Sequence, residues 1–180
     1  MGRVGALGER IGFLAFLLTG KALPGFHPET HGMEGIKKIV RARFPEVRQL
    51  STSGLDAWLA NPDRPRPWIL DVRRQEEFSV SHLPGATRVD PGTEGRALED
   101  LVPTNQPVVL YCSVGYRSSA LARRWMKAGR TNVFNLEGSA FQWANEGRPL
   151  DGGSGPASKV HPYSKRWAIL LKPEVRGVAD

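Results

Sequence analysis

The sequence predicts an α/β fold with a central, mostly parallel sheet flanked by helices on both faces. Three observations predict it. Short apolar runs suited to buried strands recur through the middle of the chain: WILDV at 68–72, VVLY at 108–111 and NVFNL at 132–136. Helical segments, RQEEF, TEGRALEDLV, RSSALARRWMKAG and AFQWANEG, alternate with them, and such alternation implies crossover connections and parallel strands. Cys112, the one cysteine in 180 residues, stands where VVLY ends and a helix is about to begin. Open parallel sheets bind ligands at that kind of position.

Taken in order, residues 1–47 read as an N-terminal extension. Its apolar run at 11–18 has eight residues, well short of the roughly 20 that a spanning helix needs. Arg3 and Arg10 precede the run as in a signal peptide, but Glu9 intrudes and no small-x-small cleavage site follows. A cytoplasmic location is expected, with export or membrane contact through residues 11–18 as the alternative. From Met33, GIKKIVRARF has the pattern of a basic amphipathic helix.

Residues 48–152 are expected to form the working domain. In LSTSGLDAWLAN, Ser51 or Thr52 can cap a short helix on which Leu55, Trp58 and Leu59 repeat at helical spacing. The prolines of NPDRPRP end it and leave an extended segment before the strand at 68–72. TRV at 87–89 is a further short strand, a helix is drawn from Arg117 through Lys127, and Gly129 and Gly147 stand where helices would stop. GGSG at 152–155 reads as a flexible joint leading into a tail, 153–180, whose Tyr163, Trp167, Ile169, Leu170 and Leu171 would be costly to expose. The tail is expected to pack on the domain; a partner-binding surface is the alternative.

The formal charge is +7, but residues 49–152 balance 12 basic against 12 acidic groups, so the surplus lies in the flanks. No Lys/Arg block or aromatic-basic repeat accompanies it, and no nucleic-acid partner is expected. A single cysteine excludes an intramolecular disulfide and argues against a thiolate zinc site. His27 and His31 share a four-residue spacing, but Pro28 between them spoils a helical metal pair, so no metal and no cofactor is expected.

Cys112 is therefore either an inert small hydrophobe or a reactive thiol. The loop Ser113, Val114, Gly115 and Tyr116 is short enough to curl around the sulfur, with Gly115 free to take an angle a side chain disfavours. Its amides and the positive end of the following helix would form an anion site that favours thiolate over thiol. Arg117 can offer an anionic substrate a two-pronged fork, and Ser118 a further hydroxyl.

At these residues the chain resembles the single-domain rhodaneses, a sulfurtransferase family. The resemblance spans about residues 48–150 and rests on CSVGYR at 112–117, LDVR at 70–73, EEF at 76–78, HLPGA at 82–86 and LEGSAFQW near the end. Two departures stand out. Ser139 occupies a place where the family often has a second glycine, and the loop lacks a basic residue that some thiosulfate-using members carry.

The resemblance implies a rhodanese-like fold and transfer of a sulfane sulfur from a donor, thiosulfate-like or a persulfide, through a Cys112 persulfide to a thiol or cyanide acceptor. A redox protein is a candidate partner. Asp71 and Arg73 are expected to lie near the loop and support its shape, and His82, beside Pro84 and Gly85, is expected to be structural. Two other readings stand beside this one: a non-catalytic module that binds a partner or an anion, and a cysteine phosphatase. The latter enzymes place five residues between cysteine and arginine, whereas Cys112 and Arg117 have four between them. Oligomeric state is left open.

Overall fold

In a computed structural model, residues 28–92 and 100–178 are described; the run at 11–18, His27 and most of TEGRALEDLV lie outside them. The sheet has five strands: β1 (Arg48–Leu50), β2 (Trp68–Asp71), β3 (Thr87–Arg88), β4 (Val108–Tyr111) and β5 (Val133–Leu136). Their order is β1-β5-β4-β2-β3, and every neighbouring pair is parallel. The expected mostly parallel sheet is thus wholly parallel among the described strands. β4 is the middle strand, and its four residues Val108, Val109, Leu110 and Tyr111 are fully buried, as an unbroken apolar run between two covered faces requires.

The helices are α1 (Pro28–Arg43), α2 (Thr52–Ala60), α3 (Gln75–Val80), α4 (Tyr116–Lys127) and α5 (Ser139–Asn145). α1 is bent at Gly32, and Ile36 and Val40, with Phe44 just beyond its end, bury one stripe at intervals of four. α2 is capped by Ser51, whose Oγ accepts the Gly54 N–H at 3.0 Å. α4 begins at Tyr116, one residue before the expected start, and turns Leu121, Ala122 and Trp125 inward while Arg124 and Lys127 close its last turn. Cationic groups there favour the negative end of the helix.

Three expectations need correction. NPDRPRP is not extended throughout: Asn61 Oδ1 accepts the Asp63 N–H at 2.9 Å, so the chain turns before it extends. GGSG is not a flexible joint. Gly152 and Gly155 close an antiparallel hairpin of β6 (Leu150–Gly152) and β7 (Gly155–Ala157), and Gly155 takes φ 124°, a turn geometry that glycine supplies cheaply. Nor is every apolar tail residue covered. Trp167, Leu170 and Leu171 are buried, but Ile169 is 56% exposed, because it lies on the outer side of a 3-10 turn, Trp167–Leu170, that packs against α1.

Backbone bonds tie the tail to itself, and the Asn145 side chain ties it to α5. The Val160 N–H donates to Val175 O and the Gly177 N–H to Val160 O, at 2.8 and 2.9 Å. Asn145, the last residue of α5, donates from Nδ2 to Leu170 O at 2.7 Å and accepts the Lys172 N–H at 2.9 Å.

Candidate active site

Cys112 follows β4 directly, and the four residues after it carry the chain into α4. The turn works because Gly115 adopts φ 100°, a left-handed angle, at the cap of α4. A Cβ there would lie 3.2 Å from Asn135 Nδ2 and 3.5 Å from Leu136 O, so both the angle and the space call for glycine. In this conformation the Gly115 N–H donates to Cys112 Sγ at 3.2 Å.

The loop is also held from below. The Ala140 and Phe141 amides, in the first turn of α5, donate to Cys112 O and Ser113 O, each at 3.0 Å. Ser139 Oγ accepts the Cys112 N–H at 3.2 Å and donates to Leu136 O at 2.8 Å. Ser139 itself has φ 51°. It pays the strain of a glycine-like angle and in return ties the amide of the cysteine to the end of β5.

Arg117 does not present a free fork. Its Nη1 and Nη2 donate to Glu77 Oε2 and Oε1, both at 2.8 Å, and Nη2 also reaches Ser113 Oγ at 2.8 Å. Ser113 Oγ in turn donates to Glu77 Oε1 at 2.9 Å. Glu77 comes from α3, is almost wholly buried, and was not among the residues expected at the site. Burial pushes its carboxyl up, but Arg117, Arg73 and the Arg74 amide outweigh that and bring it down to about 2. It also accepts the Arg74 N–H at 3.1 Å at the start of α3, and in the sequence it stands out only as part of EEF.

Opposing forces also act on Cys112. Burial raises the thiol pKa, whereas the Arg117 charge, the Ser118 hydroxyl and amide, and the Gly115 amide lower it; the lowering wins. Ser118 Oγ is buried, and among its neighbours the Cys112 sulfur is the group it acts on. The thiolate is thus favoured beyond what a free cysteine allows.

Asp71 and Arg73 lie one strand away, Asp71 opposite Tyr111 in the β2–β4 register. Both are fully buried. Arg73 Nη2 donates to Asp71 Oδ2 at 2.7 Å and to Ser81 O at 2.5 Å, which pins the end of α3 and with it Glu77. Burial works against the Arg73 charge, but Asp71 and Glu77 hold the guanidinium protonated. Tyr111 carries the link onward, its hydroxyl accepting the Leu83 N–H at 3.1 Å. His82 stacks on Phe78 with centroids 4.0 Å apart, exchanges backbone bonds with Asp151 and does not line the Cys112 cavity.

That cavity measures about 20 Å3 and is lined by Cys112, Ser113, Val114, Tyr116, Arg117, Tyr163 and Trp167. A larger open groove of about 420 Å3 runs between Trp58 and Arg66, but it holds no cysteine, serine or histidine. Of the two, only the small cavity contains Cys112, whose thiol pKa is lowered. No group of three or more potential metal ligands occurs among the described residues.

The fold and loop together define a class: parallel α/β domains that carry a cysteine in the turn between the middle strand and the helix it caps. Residues 51–146 match the rhodanese-like domain family, and the chain belongs to that family. It is 32% identical over 78 residues to the uncharacterized protein YqhL of Bacillus subtilis, a match covering 43% of this chain and 61% of that one, so it spans less than two thirds of that relative. A sulfurtransferase of Allochromatium vinosum is 27% identical over 104 residues, covering 58% of this chain and 94% of that protein. The crystal structure of a thiosulfate sulfurtransferase from Pseudomonas aeruginosa superposes with a TM-score of 0.57 at 21% identity, over 77% of this chain and 26% of that one. This last likeness concerns the fold.

Proposed function

We propose that the chain is a sulfurtransferase whose carrier is a persulfide on Cys112. One observation carries the reading: the Cys112 sulfur accepts the Gly115 amide beside Arg117, in a cavity of about 20 Å3, which is room for roughly one further atom the size of sulfur. The four residues between Cys112 and Arg117 and the small cavity favour a sulfur atom over a phosphate group.

In the first step the Cys112 thiolate attacks the outer sulfur of a donor. A new S–S bond forms at Cys112, the bond inside the donor breaks, and the leaving group departs with the electron pair, as sulfite from thiosulfate or as thiolate from an organic persulfide. In the second step a thiolate or cyanide attacks that outer sulfur and expels the Cys112 thiolate. No net oxidation occurs, and no second cysteine is needed. Gly115, Ser118 and Arg117 stabilise the negative sulfur at the start and end of the cycle. The same reading assigns the chain to the cytoplasm, whose thiols are ready acceptors, and makes a thiol-bearing redox protein a candidate partner.

The test is mass spectrometry after exposure to thiosulfate or an organic persulfide, coupled to transfer onto cyanide or a thiol. Cys112 is expected to gain one sulfur atom, and Cys112→Ser to lose both adduct and turnover. A serine variant that turns over at the native rate would refute the reading.

A further inference from the structure

Two of the seven residues lining the Cys112 cavity, Tyr163 and Trp167, come from the tail and lie outside the segment that matches the family. The geometry points to them as specificity-determining residues: they narrow the site to sulfur carried at the end of a slender chain and exclude sulfur borne on an aromatic ring or a branched carbon. This rests on the sulfur-transfer reading and names the donor and acceptor class that reading leaves open.

The wall is fixed rather than draped. Two guanidinium groups lie over the Tyr163 ring, Arg117 at 4.8 Å and Arg74 at 4.9 Å from its centroid, both in cation–π range. Its backbone sits at φ 66°, an angle that a residue with a side chain holds only when its surroundings impose it. Two bonds hold it there: the Tyr163 N–H donates to His161 Nδ1 at 3.0 Å, and the Ser164 N–H to Pro162 O at 2.8 Å. Trp167, almost wholly buried, lines the same cavity, and its backbone N–H donates to Ser164 O at 3.0 Å.

Wall and nucleophile hang on the same short helix. The first-turn amides of α5 hold Cys112 O and Ser113 O, while Asn145 at its end holds Leu170 and Lys172. One short helix therefore anchors both the loop that carries the sulfur and the chain just beyond Trp167. The enclosed space beside the sulfur, about 20 Å3, is about that of the transferred sulfur alone, and because Tyr163 and Trp167 line it, the body that brings the sulfur meets them. Aromatic faces also suit a polarisable sulfur.

The experiment compares two thiol probes on the full chain at one pH: methyl methanethiosulfonate, slender, and 5,5′-dithiobis(2-nitrobenzoate), aromatic. The ratio of their second-order rates at Cys112 is measured for the native chain, Tyr163→Ala and Tyr163→Phe, with Trp167→Phe as a milder change in the same cavity. Tyr163→Ala is expected to raise the aromatic-to-slender ratio about ten-fold, at the low end of what pocket shape discriminates. Tyr163→Phe keeps the ring and should keep the native ratio. A substitution that merely loosened the fold would raise both rates together, and an unchanged ratio would overturn the proposal. So would failure of the slender probe in every variant, since the cavity would then be closed to the class proposed. Neither probe requires sulfur transfer. A ratio that shifts in a chain unable to take sulfur leaves the wall standing and sinks the sulfurtransferase reading, and the converse result does the opposite.

Discussion

Glu77→Gln removes the carboxylate on which Arg117 and Ser113 converge while keeping its shape. The folded structure brings the Glu77 carboxyl from an ordinary 4.5 down to about 2, a displacement worth about 3 kcal/mol for a side chain this deeply buried. Because the folded value is the lower one, the contribution is complete above 4.5 and drains away as the pH falls from 4.5 towards 2. Urea denaturation at pH 7 should find the variant less stable by about 3 kcal/mol, the lower end of the range for breaking a buried ion pair. Repeated at falling pH, the gap between native and variant chains should close across that window. A second readout has the opposite sign. Arg117 keeps its bond to Ser113 but loses its neutralising partner, so the Cys112 thiol, followed by iodoacetamide rate against pH, should titrate lower than in the native chain. A variant as stable as the native chain at pH 7, or a gap that persists undiminished at the acid end, would refute the reasoning.

Other substitutions around the loop carry equally definite signs. Arg117→Gln removes the largest influence holding the Cys112 thiol down, so its titration midpoint should move up and sulfur loading at neutral pH should slow; an unmoved midpoint in the iodoacetamide profile would contradict this. Ser139→Ala and Ser139→Gly both lose the hydroxyl bond to the Cys112 amide, worth about 1 kcal/mol, but glycine also relieves the left-handed angle at φ 51°. The glycine variant should therefore melt above the alanine variant, and the reverse order would show that the angle is not strained.

The sheet was legible because burial on both faces leaves a mark in one dimension: VVLY is apolar throughout, and WIL is an apolar run that stops at Asp71. The turn at Cys112 was legible for a similar reason, since Gly115 and the helix after it sit within a few residues of the sulfur. Glu77 was not. Its bond to Arg117 spans 40 residues of sequence, and nothing in EEF distinguishes the glutamate that turns inward from Glu76, which stays exposed. The hairpin at 152–155 was misread because glycine-rich composition permits flexibility but does not impose it; the pairing that orders it comes from Leu150 and Ala157 on either side. The tail could be given an apolar character from its sequence, but not a destination. That Tyr163 reaches the cavity depends on fastenings to Asn145 and Val175, contacts between segments that carry no shared pattern.

The place of β4 in the strand order has a further consequence. With β5 on one side and β2 on the other, its amides are shielded by two ladders, and local opening in a sheet frays from the margins inward. Cys112 is thus mounted on the backbone last to exchange with deuterated solvent. The sulfur thus keeps its place while the margins of the sheet open and close, and donor and acceptor are the bodies that move to it.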